Sequence, residues 1–462
     1  MFPSKVYTER RKALLKKLSA GLILIPGNSE VPYNYQANTY HFRQDSTFSY
    51  FFGLNDPNLV GVIDIEDENE FIFGDNIDME DIIWMGNLPS VDERAAKVGI
   101  VKTFALKELT SVIKKANSHG RKIHFLPPYR GESLLQLENL LGISKTEISK
   151  TVSIELIKAV IELRLVKDKY EITETERMLD VAYLMHTQVM KLAKPGVSEK
   201  EIAGIIEGIA LSNASGVSFP IILSMNGETL HNHVHTNILQ NGRLLITDAG
   251  SESELLYASD ITRTIPVSGE FSPIQRNIYN IVLEANLKVL ELASPNNTYL
   301  DVHIGASKVI ATGLKDLGLM KGNIDDAVEA GAHALFFPHG VGHALGMDVH
   351  DLEGLGEDFI GYDESIIRSK QFGLAYLRFA KKPKPGYILT DEPGIYFIPE
   401  LIDLWRSEKR YMDFINYDKV DSYKGFGGIR IEDDILITEQ GCRVLGKPIP
   451  KRVEEIEDMM KF

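Results

Sequence analysis

Leucines recur at helical spacing in "ERRKALLKKL", so the chain opens on an amphipathic helix. "GLILIPG" is a short apolar run bounded by turn residues and reads as a buried strand. "STFSYFFGL", "VGVIDIE" and "NEFIFGD" are rich in aromatic and β-branched residues and read as further strands. The last two are separated by acidic residues, which predicts a hairpin, and "RKIHFLPP" predicts one more strand. The pattern changes at 151–166, where "SIELIKAVIELRLV" is helical and reads as an arm joining two domains. "YEITETERMLDVAYLMHTQVMKLA" continues as a long amphipathic helix, His186 inside it reading as a packed or exposed side chain. "KPG" stops that helix, and Ser198 opens the next, with Glu201 three residues on to complete a capping box.

Beyond about residue 215 strands dominate, with helices at "IQRNIYNIVLEANLKVLELA" and "IGASKVIATGLKDLG". There is no short-period repeat, but there is a looser echo. Each half of the C-terminal region has a helical part followed by a strand pair carrying two acids, Asp248 and Asp260 in the first and Glu392 and Glu432 in the second. The pattern predicts an α/β (α+β) chain with a mixed N-terminal domain over 1–152, a linker helix over 153–166 and a larger domain over 167–462.

The length of 462 residues fits such a two-domain division. A formal net charge of −15 argues against nucleic acid or an anionic membrane surface as a partner. Cys442 is the only cysteine, so no disulfide can form within the chain; a reducing, cytoplasmic setting is expected, with the thiol a small buried apolar group. The first residues do not read as a signal peptide, no run reaches the length of a membrane span, and the sequons at Asn213 and Asn296 then carry no functional weight.

The two acid pairs pose a physical problem. "GRLLITDAG" is an apolar strand ending on Asp248, and "ELLYASDITRTIPV" is a second with Asp260 inside it. A charge within an apolar strand is costly unless paired, and two carboxylates brought together repel. The remedies are a shared proton, an arginine or a metal; a solvated hairpin with exposed acids is the alternative. Arg263 falls on the opposite face from Asp260 by alternation. "GYILTDEPGIYFI" breaks at Glu392, and in "GGIRIEDDILIT" Arg430 and Glu432 share one face while Ile429 and Ile431 share the other.

Half of the twelve histidines fall in "LHNHVHTN" and "HGVGHALGMDVHD". His339 and His343 are four apart, but Gly, Val and Gly between them disfavour a helix, and no H-E-x-x-H motif is present. The glycines suit a backbone that must approach something closely. Loop histidines beside four carboxylates make an oxygen-rich site with one nitrogen ligand, suited to two divalent ions such as Mn²⁺, Co²⁺ or Zn²⁺.

With "TDAGSESELLYASDITRTIP", "PHGVGHALGMDVHD", "LTDEPGIYF" and "GGIRIEDDILIT" in this order, residues 220–440 resemble the proline-specific metallopeptidases of the pita-bread fold, aminopeptidase P and prolidase (Xaa-Pro dipeptidase). "FRQDSTFSYFFG" and "IWMGN" resemble the N-terminal domain of that group. The resemblance implies that Asp248, Asp260, His343, Glu392 and Glu432 hold two metal ions, Mn²⁺ first, whose shared water is acidified toward neutrality. The aspartates are twelve apart where eleven is expected, the extra residue enlarging the turn around "SESE". The resemblance further implies Glu392 as general base and acid and His350 as donor to the substrate carbonyl, with His231 and His339 lining the proline-side pocket. Arg430 joins Arg378 and Trp84 as a substrate-binding candidate. His233, His235 and His333 read as structural or supporting histidines.

Arg378 lies fourteen residues before Glu392 and resembles the prolidase arginine that holds the proline carboxylate; the other reading is a surface cation in a run with Lys381, Lys382 and Lys384. The insert between Glu392 and Glu432 also resembles prolidase. The expectation is therefore an Xaa-Pro peptidase leaning to dipeptides, beside an aminopeptidase P for longer peptides, a metal-free creatinase-like hydrolase, or a binding module. The group's N-terminal domain mediates dimerisation and a tryptophan can reach the partner's active site, so a homodimer or larger homo-oligomer is expected. Trp84 fits that role or a buried core position.

Overall fold

The computed structural model describes residues 1–461. They form two compact units, residues 1–164 with 354–359, and residues 165–353 with the chain from 360 onward. Mixed helix and strand run through both. Among the described residues no helix is long and apolar enough to cross a membrane.

The first unit is built on a five-stranded sheet, in the order Lys102–Phe104, Asn69–Phe73, Val60–Asp64, Leu22–Pro26, Ile123–His124. "LILI" forms the buried strand its composition predicts. The hairpin closes with Asp64 opposite Asn69 and Val60 opposite Phe73. Ile123–His124 is a short parallel edge beside Leu22 and Ile23.

"STFSYFF" is not a strand. Ser46–Phe52 is a helix, and every residue in it is buried. Asp45 caps it by accepting the Phe48 N–H at 2.8 Å, and Gly53 ends it in the left-handed conformation at φ 62°. The aromatic run records burial on all sides rather than a pleated surface. Trp84 is not a core residue either. It lies on the helix Met79–Met85 and is 77% exposed, beside exposed Met79, Ile83 and Met85.

In the second unit the long helix Lys169–Leu192 starts at a capping box between Asp168 and Glu171. Ser198 caps the following helix, Glu199–Asn213, through the Lys200 N–H. The expected box with Glu201 is not what forms there. Its neighbour Glu199 is fully buried instead and accepts from the backbone of Met225 and Asn237. That carboxylate ties the helix to the segment bearing His231, His233 and His235.

The two-part echo is realised as sheets. Thr262–Pro266, Leu244–Asp248 and Ile222–Ser224 form one antiparallel sheet. Ile388–Asp391, Asp433–Ile437 and Cys442–Val444 form the second, and Gly394–Tyr396 pairs with Gly428–Arg430. Two segments link these sheets. Glu432 N–H donates to the Thr262 carbonyl at 3.0 Å, and the Thr264 hydroxyl bonds the Arg430 carbonyl at 3.0 Å. Asp260 lies just before its strand rather than inside it. Cys442 is half-buried, with Sγ on the Leu290 carbonyl, and burial pushes the thiol up to about 11.

A buried ion pair locks the start of the second unit: Lys167 Nζ meets Asp351 Oδ2 at 2.9 Å, both side chains 1% exposed. Asp351 lies next to His350, so this pair anchors the histidine-bearing loop. Lys167→Met should cost about 3–5 kcal/mol by stranding a buried carboxylate. Urea denaturation measures it; a loss below about 1 kcal/mol would show the pair to be dispensable.

Candidate metal centre

A cavity of about 520 Å³ in the second unit is lined by Asp248, Asp260, His343, Glu392 and Glu432, and also by His231, His233, His339, His350, Arg378 and Arg430. Ten of the sequence candidates thus meet in one place. Trp84 belongs to the first unit and is not among the lining residues. His235 and His333 are not among them either; His235 Nδ1 lies on the Leu223 carbonyl at 3.0 Å.

The histidine loop is fastened to the Ile388–Asp391 strand and the residue after it by one isolated β-bridge, Ala344 to Leu389, and flanking backbone bonds. Thr390 N–H donates to the His343 carbonyl at 2.9 Å, Leu345 N–H to Ile388 and Glu392 N–H to Val341. A Cβ at Gly342 would collide with the Thr390 carbonyl, so glycine is needed for the close approach rather than for an unusual φ. This zipper puts His343 and Glu392 face to face, Nε2 3.7 Å from Oε1. With His343 Nδ1 on the Ala344 carbonyl at 3.1 Å, Nε2 is left for Asp260 Oδ2 at 3.4 Å.

Asp248 ends its strand opposite Thr262. The buried His186 donates from Nε2 to the Ala249 carbonyl at 3.0 Å; burial lowers its pKa to about 4, so it is a neutral packed side chain. Asp260 is held by its own N–H, which donates to Asp434 Oδ2 at 3.0 Å. The Thr262 hydroxyl donates to Glu432 Oε2 at 2.6 Å.

Arg430 is the fixed cation of this floor. Its Nη2 meets Asp248 Oδ2 at 2.7 Å, Nη1 meets the Tyr396 hydroxyl at 2.7 Å, and Nε meets Thr262 Oγ1 at 3.0 Å. The side chain lines the cavity, and these three donors go to protein acceptors, so its charge offsets that of Asp248. Tyr396 passes the link on to His339 Nε2 at 2.9 Å. Burial, reinforced by Arg430, pushes His339 down to about 3 and keeps it neutral. His231 is lowered by the same two causes.

One arginine does not balance four carboxylates, three of them buried and Glu392 partly so. Burial and the charge of Asp248 raise Asp260; burial and the charges of Asp260 and Glu392 raise Glu432; burial also raises Glu392. Oδ1 of Asp248 and Oδ1 of Asp260 are buried and meet no hydrogen-bond donor. Of the three remedies for such crowding, the arginine is only partial, and the cluster is too buried to be a solvated hairpin. Carboxylate oxygens with a single imidazole nitrogen are the donor set of hard or borderline divalent ions. Asp260, His343 and Glu432 offer ligand atoms all within 4.8 Å of one another, the spacing that divalent metal ions require.

Several supporting residues escape a sequence reading. Arg263 donates to Asp433 Oδ1 and to the Glu432 carbonyl, each at 2.6 Å, and Lys451 reaches Asp433 Oδ2 at 2.5 Å and Asn286 Oδ1 at 2.7 Å. Asn286 in turn donates to Asp391 at 2.9 Å. Burial would raise Asp433, but Arg263 and Lys451 hold it well below the usual carboxylate range. Only the succession "DE" and "ED" beside Glu392 and Glu432 hinted at this layer.

At the cavity wall His350 Nδ1 lies 3.1 Å from Glu353 Oε2, and Arg378 Nη1 ion-pairs with Glu353 Oε1. Arg378 is therefore part of the cavity rather than of a surface run.

The profile of metallopeptidase family M24 matches residues 174–439, and that of the aminopeptidase P N-terminal domain matches residues 7–124. The chain is 31% identical to the Xaa-Pro dipeptidase of Homo sapiens, over 99% of its own length and 94% of the relative's. It is likewise 31% identical, over 99% and 96%, to a protein of Paracoccidioides brasiliensis (strain Pb03) described as "Probable Xaa-Pro aminopeptidase PEPP". A variant of Escherichia coli aminopeptidase P in complex with substrate superposes with a TM-score of 0.82 at 29% identity, covering 100% of this chain and 98% of that one. Carboxylates gathered from two strand pairs and an imidazole from a loop are the donor set of a metal-dependent hydrolase, and with these matches the chain belongs to metallopeptidase family M24.

Proposed function

We propose that the protein is a dinuclear-metal Xaa-Pro peptidase that hydrolyses the bond between an N-terminal residue and proline, leaning to dipeptides. The observation that carries the reading is the set Asp248, Asp260, His343 and Glu432, all buried, with the partly buried Glu392, on the floor of one cavity, with more negative charge than Arg430 balances. These five residues would hold two divalent ions, Mn²⁺ before Co²⁺ or Zn²⁺. When bound, the ions supply a water of lowered pKa and an electrophile for the carbonyl oxygen.

The chain's own groups account for the rest. Glu392 takes the proton of the attacking water and hands it to the departing proline nitrogen. His350, held at Nδ1 by Glu353, donates to the carbonyl oxygen that gains charge. His231 and His339 wall the proline side. His339 is fixed there by Tyr396, its neutral ring adding no charge against which a proline ring would be desolvated. Arg378 captures the free carboxylate of a dipeptide, and its place in the cavity lining supports this.

The one cysteine supports a reducing, cytoplasmic setting. Exposed Met79, Ile83, Trp84 and Met85 form an apolar patch on one short helix, which supports a homodimer. The division into an N-terminal domain over 1–152, a connecting helix over 153–166 and a catalytic domain over 167–462 belongs to the same reading.

Elemental analysis of the purified protein should find about two divalent ions per chain. Thorough chelation should abolish Xaa-Pro hydrolysis, and added Mn²⁺ should restore it; activity that survives chelation would refute the reading. The wild-type enzyme should turn over Xaa-Pro faster than Xaa-Pro-Yaa-Zaa. Arg378→Ala should lower kcat/KM for the dipeptide roughly ten- to a hundredfold and spare the tetrapeptide. Faster cleavage of the tetrapeptide by the wild type would point to an aminopeptidase for longer chains. Sedimentation should show a dimer that Trp84→Ala weakens; an active monomer would remove the partner role of Trp84.

A further inference from the structure

We infer that Glu353 is a specificity-determining residue, whose carboxylate sets how strongly the cavity selects a substrate with a free proline carboxylate over a longer or amidated one. The inference rests on the reading of Arg378 as the carboxylate-binding cation. It begins from a feature which that reading leaves out: Arg378 already has an anionic partner. Arg378 Nη1 ion-pairs with Glu353 Oε1, while Glu353 Oε2 faces His350 Nδ1 at 3.1 Å. The two oxygens of one carboxylate are thus divided between the guanidinium and the imidazole.

The electrostatic consequence is direct. Arg378 and Glu353 together carry no net charge, so the guanidinium that lines the cavity is backed by a carboxylate just outside the lining rather than standing as a lone cation. A substrate carboxylate that reaches Arg378 also approaches Glu353, and the repulsion offsets part of the attraction. A carboxamide or a continuing peptide bond meets no such repulsion and can still accept a hydrogen bond from the guanidinium fork. Both side chains are only partly buried, Arg378 at 33% exposure and Glu353 at 26%, so incoming groups can compete for the pair. Burial would raise Glu353, yet His350 and Arg378 hold its pKa at about 2, so it is anionic whenever the neighbouring groups function.

Glu353 therefore tempers the preference that Arg378 creates and lets one cavity accept both substrate lengths. Its contact with His350 would affect all substrates alike, so a ratio between two substrates isolates the charge effect. Glutamine keeps a carbonyl acceptor for His350 Nδ1 and removes the negative charge.

The test compares kcat/KM for Ala-Pro with that for Ala-Pro-amide in the metal-loaded enzyme. Glu353→Gln should raise the Ala-Pro to Ala-Pro-amide ratio about tenfold, mainly through a lower KM for Ala-Pro. Glu353→Asp, which keeps the charge, should stay near the wild-type ratio. Arg378→Gln should lower the ratio. A ratio that Glu353→Gln leaves unchanged or lowers, with Arg378→Gln still lowering it, would overturn the role of Glu353 and leave the dipeptidase reading intact. A ratio indifferent to Arg378→Gln would overturn the reading of Arg378 itself. If Glu353→Gln loses turnover, calorimetric binding of proline against prolinamide gives the same discrimination without catalysis.

Discussion

The ion pair between Arg430 and Asp248, 2.7 Å apart and almost free of solvent, is the constraint around which the catalytic unit is arranged. It neutralises one carboxylate of a crowded set and leaves the others in excess. That excess is unfavourable in the isolated chain and favourable once cations arrive. Stability is traded for affinity at this point, as expected where buried charge serves chemistry rather than packing. The same guanidinium fixes Tyr396, and through it the ring of His339, so one side chain aligns both the metal floor and a wall of the cavity.

Around this pair lies a layer of compensated charge. Arg263, Asp433, Lys451, Asn286 and Asp391 hydrogen-bond in series beneath the strand breaks that hold Glu392 and Glu432. Each group in the series makes at least one hydrogen bond, but Asp391 Oδ1, like Asp248 Oδ1 and Asp260 Oδ1 on the floor above, is buried without a donor. What separates the two layers is the number of cations: Arg263 and Lys451 both meet Asp433 in the support, whereas Arg430 alone serves the floor.

The cavity was legible in the sequence because its residues violate the apolar patterns that hold them. Asp248 at the end of "LLIT" and Glu432 within "IRIEDDI" stand out against period-2 alternation. His339 and His343 stand out against glycine-rich surroundings that cannot be helix. Less legible were the elements whose local composition and tertiary setting disagree. "STFSYFF" has the residues of a strand, and the Asp45 cap and enclosure on all sides make it a helix. The Ser198 and Glu201 spacing fits a capping box, but burying Glu199 against Met225 and Asn237 decides that helix start. Pairings across long sequence separation, such as Lys451 with Asn286 or Glu353 with Arg378, leave no periodic trace, and only the fold reveals them.

The bonds from Thr262 and Thr264 to Arg430 and Glu432 have a consequence for the history of each molecule. They join strands separated by more than a third of the chain, and the counter-ion of Asp248 lies 182 residues after it. A growing polypeptide that has only the first carboxylate pair has neither its arginine nor half of its donors. Contacts of such long range form late. A partly synthesised chain therefore carries no hydrolytic centre, and the ability to cut peptides appears only when the last sheet has closed over the first.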